Sequence, residues 1–255
     1  MIVIQAFLCA VGFLTRAPVP GRGGLPPRVA GLSIVFFPVV GLLLGLASAG
    51  VAWLIVDRWS LPPHSVWALL LVALQAFLTG ALHLDGLSDL VDGLGGSRGN
   101  RDRALEIMKD GRIGAFGAVA LILVLMCKVL AMGEVLRMPG HVVALLAYPT
   151  AARFAAVPLV VFFPCARPTG LARTFHEASG WPMALAAAGL TIIGLGLLGP
   201  GVAVPAGAAL AVALAAGIWT SVRLRGLTGD AYGAAIELGE LAFLLVVAFP
   251  RIRGG

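Results

Sequence analysis

Residues 65–94 read SVWALLLVALQAFLTGALHLDGLSDLVDGL, an apolar run that passes without interruption into three aspartates. A helix that crosses a bilayer needs about 20 mostly apolar residues. The first two thirds of the stretch therefore read as a membrane span and the remainder as its polar end. On a continued helix, Asp85, Asp89 and Asp92 stand at i, i+4 and i+7 and share one stripe.

Outward from this stretch the same apolar signature recurs. Candidate spans lie near 30–56, 65–84, 114–133, 142–164, 182–199, 205–221 and 236–250, the last of them short and bearing Glu237 and Glu240 near its start. With 60% hydrophobic residues, 12% charged residues and a mean hydropathy of +1.00, the composition excludes a soluble domain. The sequence predicts an all-α polytopic membrane bundle of about six to seven transmembrane helices, forming a single domain over 1–255, with strand alternation nowhere evident. Residues 1–15, MIVIQAFLCAVGFLT, carry their basic flank (Arg16, Arg22, Arg28) after the apolar run, the reverse of a cleaved signal, and predict an interfacial or partly buried helix. Prolines and glycines between Pro18 and Pro27 break any helix there. Cys9, Cys127 and Cys165 sit in or beside apolar runs and read as small buried hydrophobes, not as a disulfide or zinc framework.

A net charge of +6 resembles a nucleic-acid signature, but its distribution does not. With the spans taken in alternation, one set of loops carries Arg16, Arg22, Arg28, Arg98, Arg101, Arg103, Lys109, Arg112, Arg167, Arg173, Arg223 and Arg225, and the other only Arg58, Arg137, Arg251 and Arg253. The positive-inside rule makes the first set cytoplasmic, and with it a charged loop at about 85–113. Lipid is thus the expected surrounding partner and no nucleic acid is expected; the sequence is compatible with a homo-oligomer.

The chemistry concentrates from His83 to Gly117, which holds six of the twelve acidic residues. Stacked carboxylates repel unless a cation lies among them. Oxygen-only ligands favour a hard ion, which points to Mg²⁺ at Asp85, Asp89 and Asp92, with Mn²⁺ as a substitute; a solvated helix end met by water and arginines is the plainer alternative. Lys109, Asp110 and Arg112 can grip a charged substrate and place a base beside it, or simply pair with one another. A second patch comprises Arg223, Arg225, Thr228, Gly229, Asp230, Gly233 and Glu237. Asp230 suits a helix N-terminus, while Glu237, seven residues on, is costly toward lipid; both acids are expected to face a watery or substrate-filled cavity. Arg153, about halfway along a span, raises the same expectation, with snorkelling as its alternative. Lys128 has a weaker claim, no acidic partner being suggested nearby. His83 is either a hydrogen-bonding helix-end residue or a base.

Three runs in this order, HLDGLSDLVDGL, MKDGRIGAFG and RGLTGDAYGAAIE, together with FLTRAPVP and PCARPTGLARTF, resemble the cobalamin synthase family, adenosylcobinamide-GDP ribazoletransferase, over essentially the whole chain. The resemblance implies a Mg²⁺-dependent transferase of cobalamin biosynthesis in the bacterial-type cytoplasmic (inner) membrane, its active site facing the cytoplasm. It would join α-ribazole, or its 5′-phosphate, to adenosylcobinamide-GDP and release GMP, forming adenosylcobalamin or its 5′-phosphate. On that reading Asp85, Asp89 and Asp92 hold metal, and Lys109, Arg112, Arg223 and Arg225 offset charge on the pyrophosphate. Asp110, with His83 second, orients or deprotonates the ribose hydroxyl. Asp230 and Glu237 complete the metal site or bind ribazole, with Thr228 and Arg153 as further substrate-binding candidates.

Two alternatives compete. A CDP-alcohol phosphotransferase also opens with D-x-x-D-G, as Asp89, Asp92 and Gly93 do, but its later A-R and G-x-x-x-D-x-x-x-D pattern is not reproduced after Gly93. A transporter would place its coupling acids near mid-membrane, whereas these gather at one face.

Overall fold

The computed structural model describes residues 1–19, 26–59 and 64–254, with side chains described through 249. The break expected at Pro20–Gly24 and the side chains of Arg22, Arg251 and Arg253 lie outside the described residues. The elements in chain order are α1 (Ile2–Leu14), α2 (Pro27–Ser33), α3 (Phe37–Ala52), α4 (His64–Thr79), α5 (Leu82–Gly96), α6 (Arg101–Ile107), α7 (Ala115–Leu136), α8 (His141–Phe162), α9 (Leu171–Ala178), α10 (Trp181–Leu197), α11 (Ala203–Leu224) and α12 (Gly229–Gly254). Among the described residues extended pairing is confined to one isolated bridge, Cys165 to Leu227.

Among the described residues five helical stretches are long and apolar enough to cross a membrane: Pro27–Arg58, Ala115–Leu136, His141–Phe162, Pro200–Leu224 and Gly229–Phe249, or up to seven if each of two bent pairs counts as a span. The sixth and seventh differ from expectation in shape. The run 65–84 does not continue straight into the aspartates, because α4 ends at Thr79 and α5 leaves it at 89°. The cause is local. Gly80, at φ +63°, donates its N–H to the carbonyl of Phe77 (3.1 Å), and Ala81, at φ +57°, donates to that of Ala76 (2.7 Å). This is a Schellman cap, which satisfies the last carbonyls of α4 and stops it. Likewise α9 meets α10 at 95°. The charged segment expected as a loop at 85–113 is mostly α5 and α6, and the last span begins at Gly229, so it is not short.

The centre is a close crossing of α3 and α8. A Cβ on Gly41 would come within 2.4 Å of the Pro149 carbonyl oxygen, and one on Gly45 within 2.7 Å of that of Leu146, so only glycine allows the two backbones to touch. Around it pack α7, α10, α11 and α12 through Ala152, Ala155, Ala156, Ala213 and Ala235, all buried. At membrane depth this small-residue packing, not water exclusion, draws helices together. Helix α1 buries Ala6, Ala10 and Leu14 at i, i+4 and i+8 and leaves Ile2, Val3 and Ile4 exposed.

Candidate functional site

Helices α5 and α12 cross where neither carries a side chain. A Cβ on Gly86 would lie 2.8 Å from the Asp230 carbonyl oxygen, and one on Gly233 would lie 3.1 Å from the His83 Cα. This contact sets the aspartates of α5 beside Asp230 at the start of α12. The Asp89 carboxylate accordingly feels the like charges of Asp85, Asp230 and Asp92, opposed by Arg167.

Arg167 arrives from a non-local pairing. The N–H of Leu227 donates to the Pro164 carbonyl (2.7 Å) and that of Ala166 to the Leu227 carbonyl (2.8 Å), pinning the α8–α9 connection against the turn before α12. Arg101 reinforces the corner, its Nε donating to the carbonyl of Leu224 (2.7 Å) and its Nη2 to that of Ala166 (2.8 Å). Arg167 then donates from Nη2 to the Met108 carbonyl (3.4 Å) and lies 3.3 Å from Oδ2 of Asp230.

Between these elements is a cavity of about 210 Å³, lined on its polar side by His83, Asp85, Arg167, Arg173, Thr228 and Asp230 and elsewhere by Phe13, Leu82 and Ile236. Two of the residues that line it have buried polar atoms with no hydrogen-bond partner, both ring nitrogens of His83 and Nε of Arg167. Buried polar groups are ordinarily satisfied, and beside a cavity that also gathers Asp85, Asp230, Arg167 and Arg173 these two point to a polar ligand.

The predicted site residues divide. His83, Asp85, Thr228 and Asp230 line the cavity, and Asp89 stands beside its acids. The Thr228 hydroxyl accepts from the N–H of Ala231 (3.3 Å) and caps α12. Asp92 belongs to the stripe by spacing, but its carboxylate accepts from the N–H groups of Gly114 (2.8 Å) and Gly117 (2.9 Å), so it caps α7. Asp110 lies in an exposed turn, bonded through both oxygens to Arg112, and lines no part of the cavity. The Arg112 guanidinium holds its carboxyl below the usual range, which weakens it as a base. Lys109 is exposed in the same turn. Arg223 stacks on the exposed ring of Trp219, 4.0 Å from its centroid, and Arg225 is an exposed left-handed residue ending α11.

Glu237 and Arg153 lie elsewhere, in a fully buried charge cluster. Lys128 of α7 pairs with Glu237 and, at 2.6 Å, with Glu240, while Arg153 of α8 pairs with Glu240. Glu237 and Arg153, expected to face a watery or substrate-filled cavity, instead face each other's partners around a space of only about 20 Å³, and snorkelling for Arg153 and the missing acidic partner for Lys128 are corrected with them. All four side chains are at most 7% exposed. Two anions and two cations from three helices neutralise one another at membrane depth, the arrangement that makes intramembrane charge tolerable.

Arg167, Arg173 and Phe13 are cavity residues that the sequence reading left without a role. The one available signal was that both arginines fall in the PCARPTGLARTF run on the basic side of the chain.

Residues 6–248 match the model of the family described as cobalamin-5-phosphate synthase. A Klebsiella pneumoniae (strain 342) protein named adenosylcobinamide-GDP ribazoletransferase is 42% identical over 255 residues, covering 96% of this chain and 100% of that one. A protein of the same name from Geotalea daltonii is 40% identical, covering 96% and 97%, and one from Shigella boydii is 39% identical, covering 95% and 99%. No solved structure matches.

Proposed function

From the premise that the chain belongs to the cobalamin-5-phosphate synthase family, we propose that it is a membrane transferase joining α-ribazole, or its 5′-phosphate, to adenosylcobinamide-GDP with release of GMP. The observation that carries the reading is the cavity between α5 and α12, where acids in excess meet buried polar atoms without partners. A diphosphate and an attacking hydroxyl supply the acceptors and the donor that this wall lacks.

The ribose hydroxyl oxygen bonds to the cobinamide-side phosphorus, the bridging P–O bond of the diphosphate breaks, and GMP leaves. His83, a cavity-lining residue whose ring nitrogens have no hydrogen-bond partner, takes the hydroxyl proton. Arg167 and Arg173 offset charge on the phosphates, a task suited to forked guanidinium donors. Asp110 has no part in proton transfer, being paired outside the cavity.

The donor set suits a hard divalent ion, since Asp85, Asp89 and Asp230 offer only oxygen and outnumber the cations beside them, Arg167 and an Arg173 already paired with Glu177. Among the described residues no three His, Cys, Asp or Glu side chains are already grouped to hold an ion. That is compatible with Mg²⁺, which binds through one or two carboxylates and completes its shell with substrate phosphates and water. Mg²⁺, or Mn²⁺ in its place, would be held by one or two carboxylates drawn from Asp85, Asp89 and Asp230 and would offset charge on the phosphate oxygens. Asp92, engaged by two amides, would not ligate it. By the positive-inside rule the cavity opens to the cytoplasm across the inner membrane.

The test is GMP release by purified protein given adenosylcobinamide-GDP and α-ribazole over a Mg²⁺ titration, beside a CDP-alcohol control. Unchanged release in excess chelator removes the metal assignment; CMP release from the CDP-alcohol with no GMP from the corrinoid overturns the reaction.

A further inference from the structure

Away from the cavity, an apolar groove of about 460 Å³ runs between α1, α3 and α4, lined by Val11, Val40, Leu43, Ala47 and Phe77 and bounded by Arg16. Phe77 is 75% exposed and Leu43 46%, so the groove opens sideways, toward lipid. Helix α1 has 13 residues and is about 20 Å long, short of the roughly 30 Å hydrocarbon layer. Arg16, just past its end, lies against the turn between α4 and α5. Its N–H donates to the Leu78 carbonyl (2.8 Å) and its stem lies against Gly80, where a Cβ would be 3.1 Å from the Arg16 Cδ. That is the elbow from which α5 departs, on the same side as the acid-lined cavity.

Arg16 is exposed, and none of the described ion pairs includes it. An apolar trough entering the hydrocarbon with an uncompensated guanidinium at its mouth complements one kind of molecule, an anionic amphiphile. We propose that the groove is a binding site for one anionic phospholipid, its acyl chain against Val40, Leu43 and Phe77 and its headgroup phosphate on Arg16. The lipid braces the corner formed by Arg16, Leu78 and Gly80, and so the direction of α5. The site is independent of the reaction assigned to the cavity.

The experiment is native mass spectrometry of the full chain released from nanodiscs of equal phosphatidylcholine and phosphatidylglycerol. The parent is expected to retain one phosphatidylglycerol, favoured several-fold over phosphatidylcholine. Arg16→Gln should lose that preference and Arg16→Lys keep most of it. Ala47→Phe should lose the bound lipid by filling the trough with Arg16 intact. Arg137→Gln, at the opposite end of the bundle and paired with Glu134, should match the parent. The proposal is overturned if Arg16→Gln and Ala47→Phe retain phosphatidylglycerol as the parent does, or if phosphatidylcholine is held equally well. Displacement of the lipid by soluble glycerol phosphate would show a phosphate site without a chain site. A dimer that these substitutions dissociate, with no lipid retained, would assign the groove to a second copy. If Ala47→Phe does not fold, the Gln and Lys variants at Arg16 still decide the headgroup contact.

Discussion

The inner charge cluster and the acids of the cavity differ in their balance of charge. At membrane depth Lys128 and Arg153 face Glu237 and Glu240, two against two, each side chain at most 7% exposed. At the elbow face Asp85, Asp89 and Asp230 outnumber Arg167 and an Arg173 already paired with Glu177, around a cavity whose lining residues include buried polar atoms with no partner. Burying an ion is costly, and the first group recovers the cost internally, as a structural cluster must. The second leaves its charge for something outside the chain to answer. A charged residue in a membrane protein is thus informative less by its depth than by whether its neighbours already neutralise it.

The sharpest way to break the comparison is to unbalance the inner cluster. Glu240→Gln leaves Arg153 without its carboxylate and should cost about 3–5 kcal/mol, read as a lower unfolding temperature in detergent. The joint change Lys128→Met with Glu237→Leu removes one charge of each sign and should stay within about 1 kcal/mol of the parent or exceed it. If that pair destabilises as much as Glu240→Gln does, the cluster is not a set of self-cancelling ions.

Next comes the opposite test at the cavity. Asp89→Asn should lower the rate of GMP release on the order of 10²–10³-fold, while unfolding temperature holds or rises because a repelled charge has gone. Loss of stability in step with loss of rate would move Asp89 into the structural class.

Asp92 sharpens the boundary between the two. Asp92→Ala removes the acceptor for two amides at the start of α7 and should cost about 1–3 kcal/mol. Its Asn variant, which keeps one acceptor oxygen, should cost less. A smaller effect is expected at the elbow, where Gly80→Ala places a Cβ at φ +63° and near the Arg16 stem, for about 1–2 kcal/mol. The smallest is Asp110→Asn, whose rate should stay within a few-fold of the parent, since that carboxylate is exposed and off the cavity wall; a collapse in kcat would restore it as the base.

Within α5 the sequence was a reliable guide. Asp85, Asp89 and Asp92 fall on one helix because i, i+4, i+7 spacing is a local property of the chain. The helical membrane bundle was equally legible, because a hydropathy of +1.00 and runs of about 20 apolar residues follow from composition alone. So was the family, because motif order belongs to the primary sequence and residues 6–248 match the family model.

Only the folded chain decided where each charge finds its partner. That Glu237 answers Lys128, 109 positions away, that Asp92 turns to the amides of Gly114 and Gly117, and that Arg167 comes to Asp230 through the Cys165–Leu227 bridge depend on which helices touch. Coulomb energy at low dielectric is set by distance in space, and distance along the chain says almost nothing about it. The residue types of the site could be read from the sequence, but its membership had to wait for the packing of α5 against α12.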